Sequence, residues 1–244
     1  MDFATALIDE NDAFADVLRG ADQTTPVPSC PGWTLKQLIR HVGRGDRWAA
    51  QIVGDRLTDY LDPRDVRGGK PPDDGDGTID WLRGGAHDVV KAVDEVGADT
   101  AVWTFIGARP AQWWIRRRLH EVTVHRADAE LALGRDFALS PELAADGLTE
   151  WLERVVAQAA DGGSPLTDGQ SLHLHATDGG EWTLRQSGDS LTFDRGHADA
   201  SATVSGDATS VFMAVVRRFL ADDPRLTISG DGDVWRAWLD HTPF

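Results

Sequence analysis

Apolar residues recur at steps of three and four up to Gly162 and alternate beyond it, so the pattern predicts helices first and strands afterwards. Phe3, Leu7, Phe14, Val17 and Leu18 form one stripe, with Asp9, Glu10, Asp12 and Asp16 mostly off it, which predicts an amphipathic helix. After Pro26, Pro28 and Pro31 comes Thr34, followed by Gln37. A hydroxyl and an amide in that relation satisfy the backbone N–H groups that open a helix. The second helix therefore starts near Thr34 and turns Leu35, Leu38, Ile39 and Val42 inward. It is expected to continue past Gly43 and Gly45 to Trp48 and Ile52, at a cost in intrinsic stability.

From Asp62 to Gly77 the sequence is dense in Pro, Gly and Asp and predicts a loop. A third helix follows, with Ile79, Leu82, Val89, Val90, Val93 and Val96 on its inner side. A fourth runs from about Pro110 to Leu133, with Ile115, Leu119, Val122, Ala129 and Leu133 at helical spacing. Four such stripes close on one another as a four-helix bundle. Pro141 to about Ala160 reads as a further helix leading out of it. Beyond Gly162, Ser171–Ala176, Glu181–Gln186, Ser190–Asp194 and Ser201–Ser205 alternate between Gly-rich turns, which predicts antiparallel strands. Helices at about Asp207–Leu220 and Asp231–Leu239 flank a last strand at Leu226–Ser229. The expected fold class is α+β, with a helical domain over 1–138 and a connecting helix plus a smaller sheet domain over 139–244.

A chain of 244 residues, 41% hydrophobic and 26% charged, has the apolar content for two ordinary cores. Asp and Glu number 40 against 24 Lys and Arg. The net charge of −16 repels nucleic acid phosphates and anionic lipid, so neither nucleic acid nor membrane is an expected partner. A local arginine cluster can still hold a small anion. Cys30 is the one cysteine, which excludes an internal disulfide framework and fits a reducing compartment. The N-terminus shows no basic segment followed by an apolar run, and no stretch approaches the roughly 20 apolar residues of a spanning helix, so the expected location is cytoplasmic.

Glu121 and His125 lie about 40° apart around the axis of the fourth helix and project from one face a turn apart. They flank the stripe of Ile115, Leu119 and Val122, where a side chain reaches the bundle interior without entering its driest part. His41 stands in the same relation to helix two, beside Leu38. Two His and one Glu leave a coordination position open, the pattern of catalytic rather than structural zinc, so a divalent metal, zinc foremost, is the expected cofactor. A thiol in the open position loses its proton at neutral pH, and a water there becomes a hydrolytic nucleophile.

The same spacing also describes an ordinary solvated Glu–His contact. His120, about 100° round from Glu121, is expected to face solvent. Asp128 either fixes the His125 imidazole or is a surface charge. His173 and His175 share a strand face with no third ligand evident near them, and read as outer-face polar residues. Cys30 reads as a small buried side chain rather than an active thiol. Arg116, Arg117 and Arg118, like Arg217 and Arg218 at a helix end, read as solvated charges first and carboxylate clamps second.

CPGWTLKQLIRHVG, followed much later by RRRLHEVTVHRADAELALG, resembles the mycothiol-dependent maleylpyruvate isomerase family, and the likeness extends over essentially the whole chain. It implies a DinB-like metal-binding bundle followed by a sterol-carrier-like α+β domain. It also implies zinc on His41, Glu121 and His125, which match the family's second-helix His and its E-x-x-x-H motif. Mycothiol, a sugar thiol, is implied as cosubstrate. Its thiolate adds to an activated cis double bond, rotation follows about the resulting single bond, and expulsion of the thiol restores the bond as trans. Arginines in a cleft between domains are implied to hold a diacid's carboxylates, with Arg217 and Arg218 the positions favoured here. The expected activity is that of a mycothiol-dependent isomerase or thiol S-transferase acting on a small electrophile, in a monomer or weak homodimer. Two alternatives stay open: a metal-dependent hydrolase that uses bound water, and a non-enzymatic protein that binds a small ligand or thiol.

Overall fold

Asp2 opens the first helix, α1 (Phe3–Leu18): its carboxylate accepts from the Ala4 and Thr5 N–H groups, and the helix buries Leu7, Phe14 and Leu18. The structure, a computed structural model, describes residues 1–73 and 75–244, with the side chains of 160–162 set aside. It divides into two compact units, Met1–Phe137 and Ala138–Phe244.

In the first unit α2 (Leu35–Gly54) starts at Thr34, whose N–H donates to the Gln37 amide oxygen at 3.0 Å, as the capping pattern predicts. The helix runs through Gly43 and Gly45 because both are points of close approach. A Cβ on Gly43 would lie 2.3 Å from the Trp81 ring of α3 (Gly75–Val96). One on Gly45 would lie 2.7 Å from the Arg118 guanidinium of α4 (Trp113–Ala132). The stripes predicted for α2 and α3 are buried at Leu35, Leu38, Ile39, Val42, Ile79, Leu82, Val89 and Val93, while Val90 and Val96 are half-buried. Helices α1 and α2 each pack on both α3 and α4, which is the predicted bundle. Between α3 and α4 a short hairpin, β1 (Ala101–Val102) and β2 (Arg109–Pro110), forms where no strand is predicted; Pro110, the expected start of the fourth helix, lies in β2, and α4 begins at Trp113. Within the loop expected over 62–77, Pro63–Asp65 forms a 3-10 turn and α3 already begins at Gly75; Asp74 lies outside the described residues.

The predicted stripe of α4 understates its burial. Arg117, Arg118, His120, His125, Arg126, Asp128 and Glu130 are buried alongside Leu119 and Val122. The charges are tolerated because they are paired. Arg118 Nε donates to Asp46 Oδ1 at 2.7 Å, while Asn11 donates to the other Asp46 oxygen at 3.1 Å, tying α1, α2 and α4 together. Arg126 donates to Glu10 at 3.0 Å and to Glu130 at 2.8 Å. Arg116 lies over the Phe3 ring, 5.7 Å from its centroid. The arginine run is therefore not a solvated face.

In the second unit α5 (Pro141–Gly162) is capped by the Ser140 hydroxyl, which accepts from the Leu143 N–H. The five-stranded sheet has the order β5-β4-β3-β6-β7, with β3 at Ser171–Ala176, β4 at Gly180–Ser187, β5 at Ser190–Arg195, β6 at Ala202–Gly206 and β7 at Thr227–Gly230. Its pairings are antiparallel except β3 with β6. After the β3-β4-β5 meander the chain crosses to the far side of β3 and enters β6 in β3's own direction. Helices α6 (Ala208–Val215) and α7 (Gly232–His241) pack on β3 and β6 over a core that includes Leu172, Leu174, Trp182, Leu184 and Val204. Helix α6 ends before the expected Leu220 because Arg217 takes a left-handed conformation (φ 65°) and the Arg218 N–H turns back to the Met213 carbonyl at 2.7 Å. No helix among the described residues is long and apolar enough to cross a membrane.

Candidate metal centre

The segment before α2 closes on itself. The Val27 N–H donates to the Trp33 carbonyl at 2.9 Å, and the Trp33 N–H donates to the Cys30 carbonyl at 3.0 Å, with Gly32 left-handed between them (φ 83°). This turn sets the Trp33 ring 5.0 Å from the His41 ring and 6.5 Å from the His125 ring. Helix α2 then brings His41 opposite Glu121 and His125 on α4. His41 Nε2 lies 3.0 Å from Glu121 Oε1, and His125 Nε2 lies 3.4 Å from the same carboxylate oxygen. The two imidazoles meet edge to face with centroids 4.9 Å apart. One ligand atom from each of the three residues lies within 4.8 Å of the other two, a group that could hold a metal ion.

Two of the three are also held from behind. Arg117 donates to Glu121 Oε2, which leaves Oε1 to the histidines. His125 Nδ1–H donates to Asp128 Oδ2 at 2.8 Å, and this bond aims Nε2 at Glu121. Asp128 is itself fixed by the Ser29 hydroxyl at 2.6 Å and the Cys30 thiol at 3.5 Å. Burial opposes the charge on Glu121, yet Arg117 and the two imidazoles hold its carboxyl well below the usual range. Burial likewise disfavours an imidazolium at His125, but its bonds to Asp128, Cys30 and Glu121 prevail and push it up to about 10. At His41 burial wins over the Glu121 bond and the pKa falls. Side-chain exposure is 41% at His41, 17% at Glu121 and 5% at His125, so the trio opens to solvent on the His41 side. Two nitrogens and one carboxylate oxygen with one open side match the donor set of a zinc site that keeps a position free.

The remaining candidates fall in different places. Asp128 is buried against His125 rather than on the surface. His120, expected to face solvent, is 1% exposed. Cys30 is half-buried beside Asp128, where its thiol is part of the contacts behind His125. Arg217 is exposed in the turn after α6, whereas the Arg218 guanidinium lies 4.7 Å from the Phe244 ring centroid and donates to the Val216 carbonyl at 2.8 Å. His173 and His175 do share a strand face, but His173 is buried, and Glu181 and His197 lie close by. Sequence reasoning weighed Arg117 only as a solvated charge or a substrate clamp, not as the partner of Glu121, and gave Trp33 no role. The four-residue step from Arg117 to Glu121 was the available signal for the first, and none marked the second.

A family model described as the mycothiol maleylpyruvate isomerase N-terminal domain matches residues 4–130, and one described as the MDMPI C-terminal domain matches residues 142–237. The chain is 31% identical over 169 residues to uncharacterized proteins of Mycobacterium tuberculosis, strains CDC 1551 / Oshkosh and ATCC 25618 / H37Rv, an alignment that covers 64% of this chain and 81% of each relative. Among solved structures, that of a mycothiol-dependent maleylpyruvate isomerase superposes with a TM-score of 0.61 at 17% identity, covering 93% of this chain and 92% of the other. A mutant of that enzyme gives 0.60 over the same shares of both chains. At such identity the likeness to the solved structures speaks to the fold alone: a helical N-terminal part followed by a sheet-bearing C-terminal part.

Proposed function

Because the chain belongs to the mycothiol maleylpyruvate isomerase family, we propose that it is a mycothiol-dependent isomerase or thiol S-transferase acting on a small electrophile, with a divalent metal, zinc foremost, on His41, Glu121 and His125. The observation that carries this reading is the convergence of two imidazole nitrogens on one carboxylate oxygen, with Arg117 and Asp128 bonded behind and the His41 side open. A divalent ion, when bound, supplies a Lewis acid that favours the deprotonated form of a thiol at its open side.

The chain's own residues prepare for that role. Arg117 and the imidazoles keep Glu121 ionised, and burial keeps His41 neutral, so neither must lose a proton to become a ligand. His125 gives up its Nε2 proton and keeps Nδ1–H on Asp128. Arg117 stops the Glu121 carboxylate from turning away. Trp33 walls one side of the histidines with a flat apolar ring, which excludes water there. On the substrate, a thiol that adds across a cis double bond and later leaves converts it to trans and is regenerated. Arg217 and Arg218 are the proposed clamps for a substrate's carboxylates; Arg217 is exposed, and Arg218 lies against the Phe244 ring and donates to the Val216 carbonyl. A reducing cytoplasm belongs to the same reading, because a free thiol cosubstrate needs one.

Metal analysis of the purified chain, paired with isomerisation and thiol-conjugation assays with and without mycothiol, tests the proposal. The His41→Ala, His125→Ala double variant should lose one equivalent of metal and all thiol-dependent turnover. Unchanged metal content in that variant would sink the metal assignment. Equal turnover without thiol would replace the reading with hydrolysis by bound water, and binding of metal and thiol with no turnover would replace it with a binding protein.

A further inference from the structure

The sheet of the second unit has one face turned to α6 and α7, carrying Leu172, Leu174, Trp182 and Leu184, and on its other face a histidine cluster that the reading above does not use. Alternation along β3 places His173 and His175 on that other face. The antiparallel register sets Thr183 opposite His173 and Glu181 opposite His175. His197, just past β5, brings its ring edge-on to His173 with centroids 5.1 Å apart.

His173 is 1% exposed. Its Nδ1 lies 2.9 Å from the Thr183 hydroxyl oxygen, and that hydroxyl gives its one proton to the Gly196 carbonyl at 3.3 Å. In the Nδ1–H tautomer the hydroxyl accepts from His173 and Nε2 is left as a bare lone pair. That Nε2 is buried with no hydrogen-bond partner among the described residues. A buried acceptor left in this state is costly unless something fills it.

We propose that His173, Glu181 and His197 form a second site for a divalent transition metal, one that takes zinc or a similar imidazole-preferring ion rather than calcium or magnesium. One ligand atom from each lies within 4.8 Å of the other two. Tetrahedral coordination at about 2.0–2.2 Å brings ligands closer than that, and His197, with 72% side-chain exposure, is the arm able to close the gap. Glu181 is prepared for the role: His175 Nε2 lies 3.3 Å from Oε1, and His197 Nδ1 lies 3.5 Å from Oε2. His175 is thus a positioning residue for the carboxylate. A groove lined by Glu142, His175, Asp178 and Glu181 gives the ion an acidic approach.

The full-length chain, stripped with a chelator, is titrated with zinc and with cobalt(II), and equivalents are assigned by variants rather than by their total. His197→Ala and Glu181→Gln change accessible side chains and should each abolish one equivalent, which the His41→Ala, His125→Ala double variant retains. His175→Ala should weaken that same equivalent about 10-fold or more. In the cobalt form the second equivalent should show the strong visible bands of a tetrahedral site, absent in His197→Ala. If no equivalent is lost in either His197→Ala or Glu181→Gln, with their melting unchanged from the wild type in the stripped form, the second site does not exist. If an equivalent survives the bundle double variant but vanishes in His197→Ala, the sheet site stands whether or not the bundle trio binds metal.

Discussion

His125 donates Nδ1–H to Asp128 and faces Glu121 with Nε2, and in the absence of an ion these contacts hold its pKa at about 10. The folded value lies above the unfolded one of about 6.5. The stabilisation from the protonated ring is therefore complete below the unfolded value and is lost as pH rises through the folded one. The melting temperature of chelator-stripped protein should fall across that window, and Asp128→Asn should flatten the fall. Metal binding has the opposite sign, since it needs the neutral ring. Zinc affinity should rise about tenfold per pH unit below the His125 pKa, with about one proton released per ion near neutral pH, read as a buffer-dependent heat by calorimetry. Arg117 acts on the same centre through Glu121. Arg117→Ala should lower zinc affinity about 10–100-fold, measured by chelator competition, with the helical circular dichroism retained.

Among the elements, α4 carries the ligands and departs most from its sequence pattern. Amphipathic reasoning assigns charges to solvent, which holds when they are unpaired. On α4 they are paired across the bundle, so the helix is buried while reading as polar. Burial pushes the Asp46 carboxyl up even beside Arg118, so desolvation offsets part of what this ion pair contributes. Asp46→Ala leaves Arg118 buried without its carboxylate and should cost about 3–5 kcal/mol in urea unfolding. An Asp46→Leu, Arg118→Met double variant should recover most of that loss. The neighbouring Gly45 follows from the same contact: it was legible only as a weak point in α2, yet it is where Arg118 crosses.

For the whole molecule, a net charge of −16 favours the approach of divalent cations and disfavours anions except where arginines gather. An ion that binds the folded chain alone stabilises it by mass action, by about 4 kcal/mol at a thousand times its Kd. Chelation should accordingly lower the melting temperature of wild-type protein, and zinc in excess should restore it. The His41→Ala, His125→Ala variant should lose the part of that response that comes from the bundle.

The helices of the bundle, the strands beyond Gly162, the cap at Thr34 and the phase that puts Glu121 beside His125 follow from the sequence by itself, while the β1–β2 hairpin does not. Each of the former depends on backbone geometry over a few residues, which a periodic pattern records directly. The position of His41 beside Leu38 on helix two offered it as a third ligand, and the resemblance of two distant motifs agreed with that set. Tertiary structure alone decided that Arg117 holds Glu121, that Asp128 and the turn at Val27–Trp33 stand behind His125, and that β6 runs parallel to β3. The gathering of Glu181 and His197 around His173 belongs with these. Such contacts join residues whose separation along the chain says nothing of their distance in space, because that distance is set by how whole elements pack.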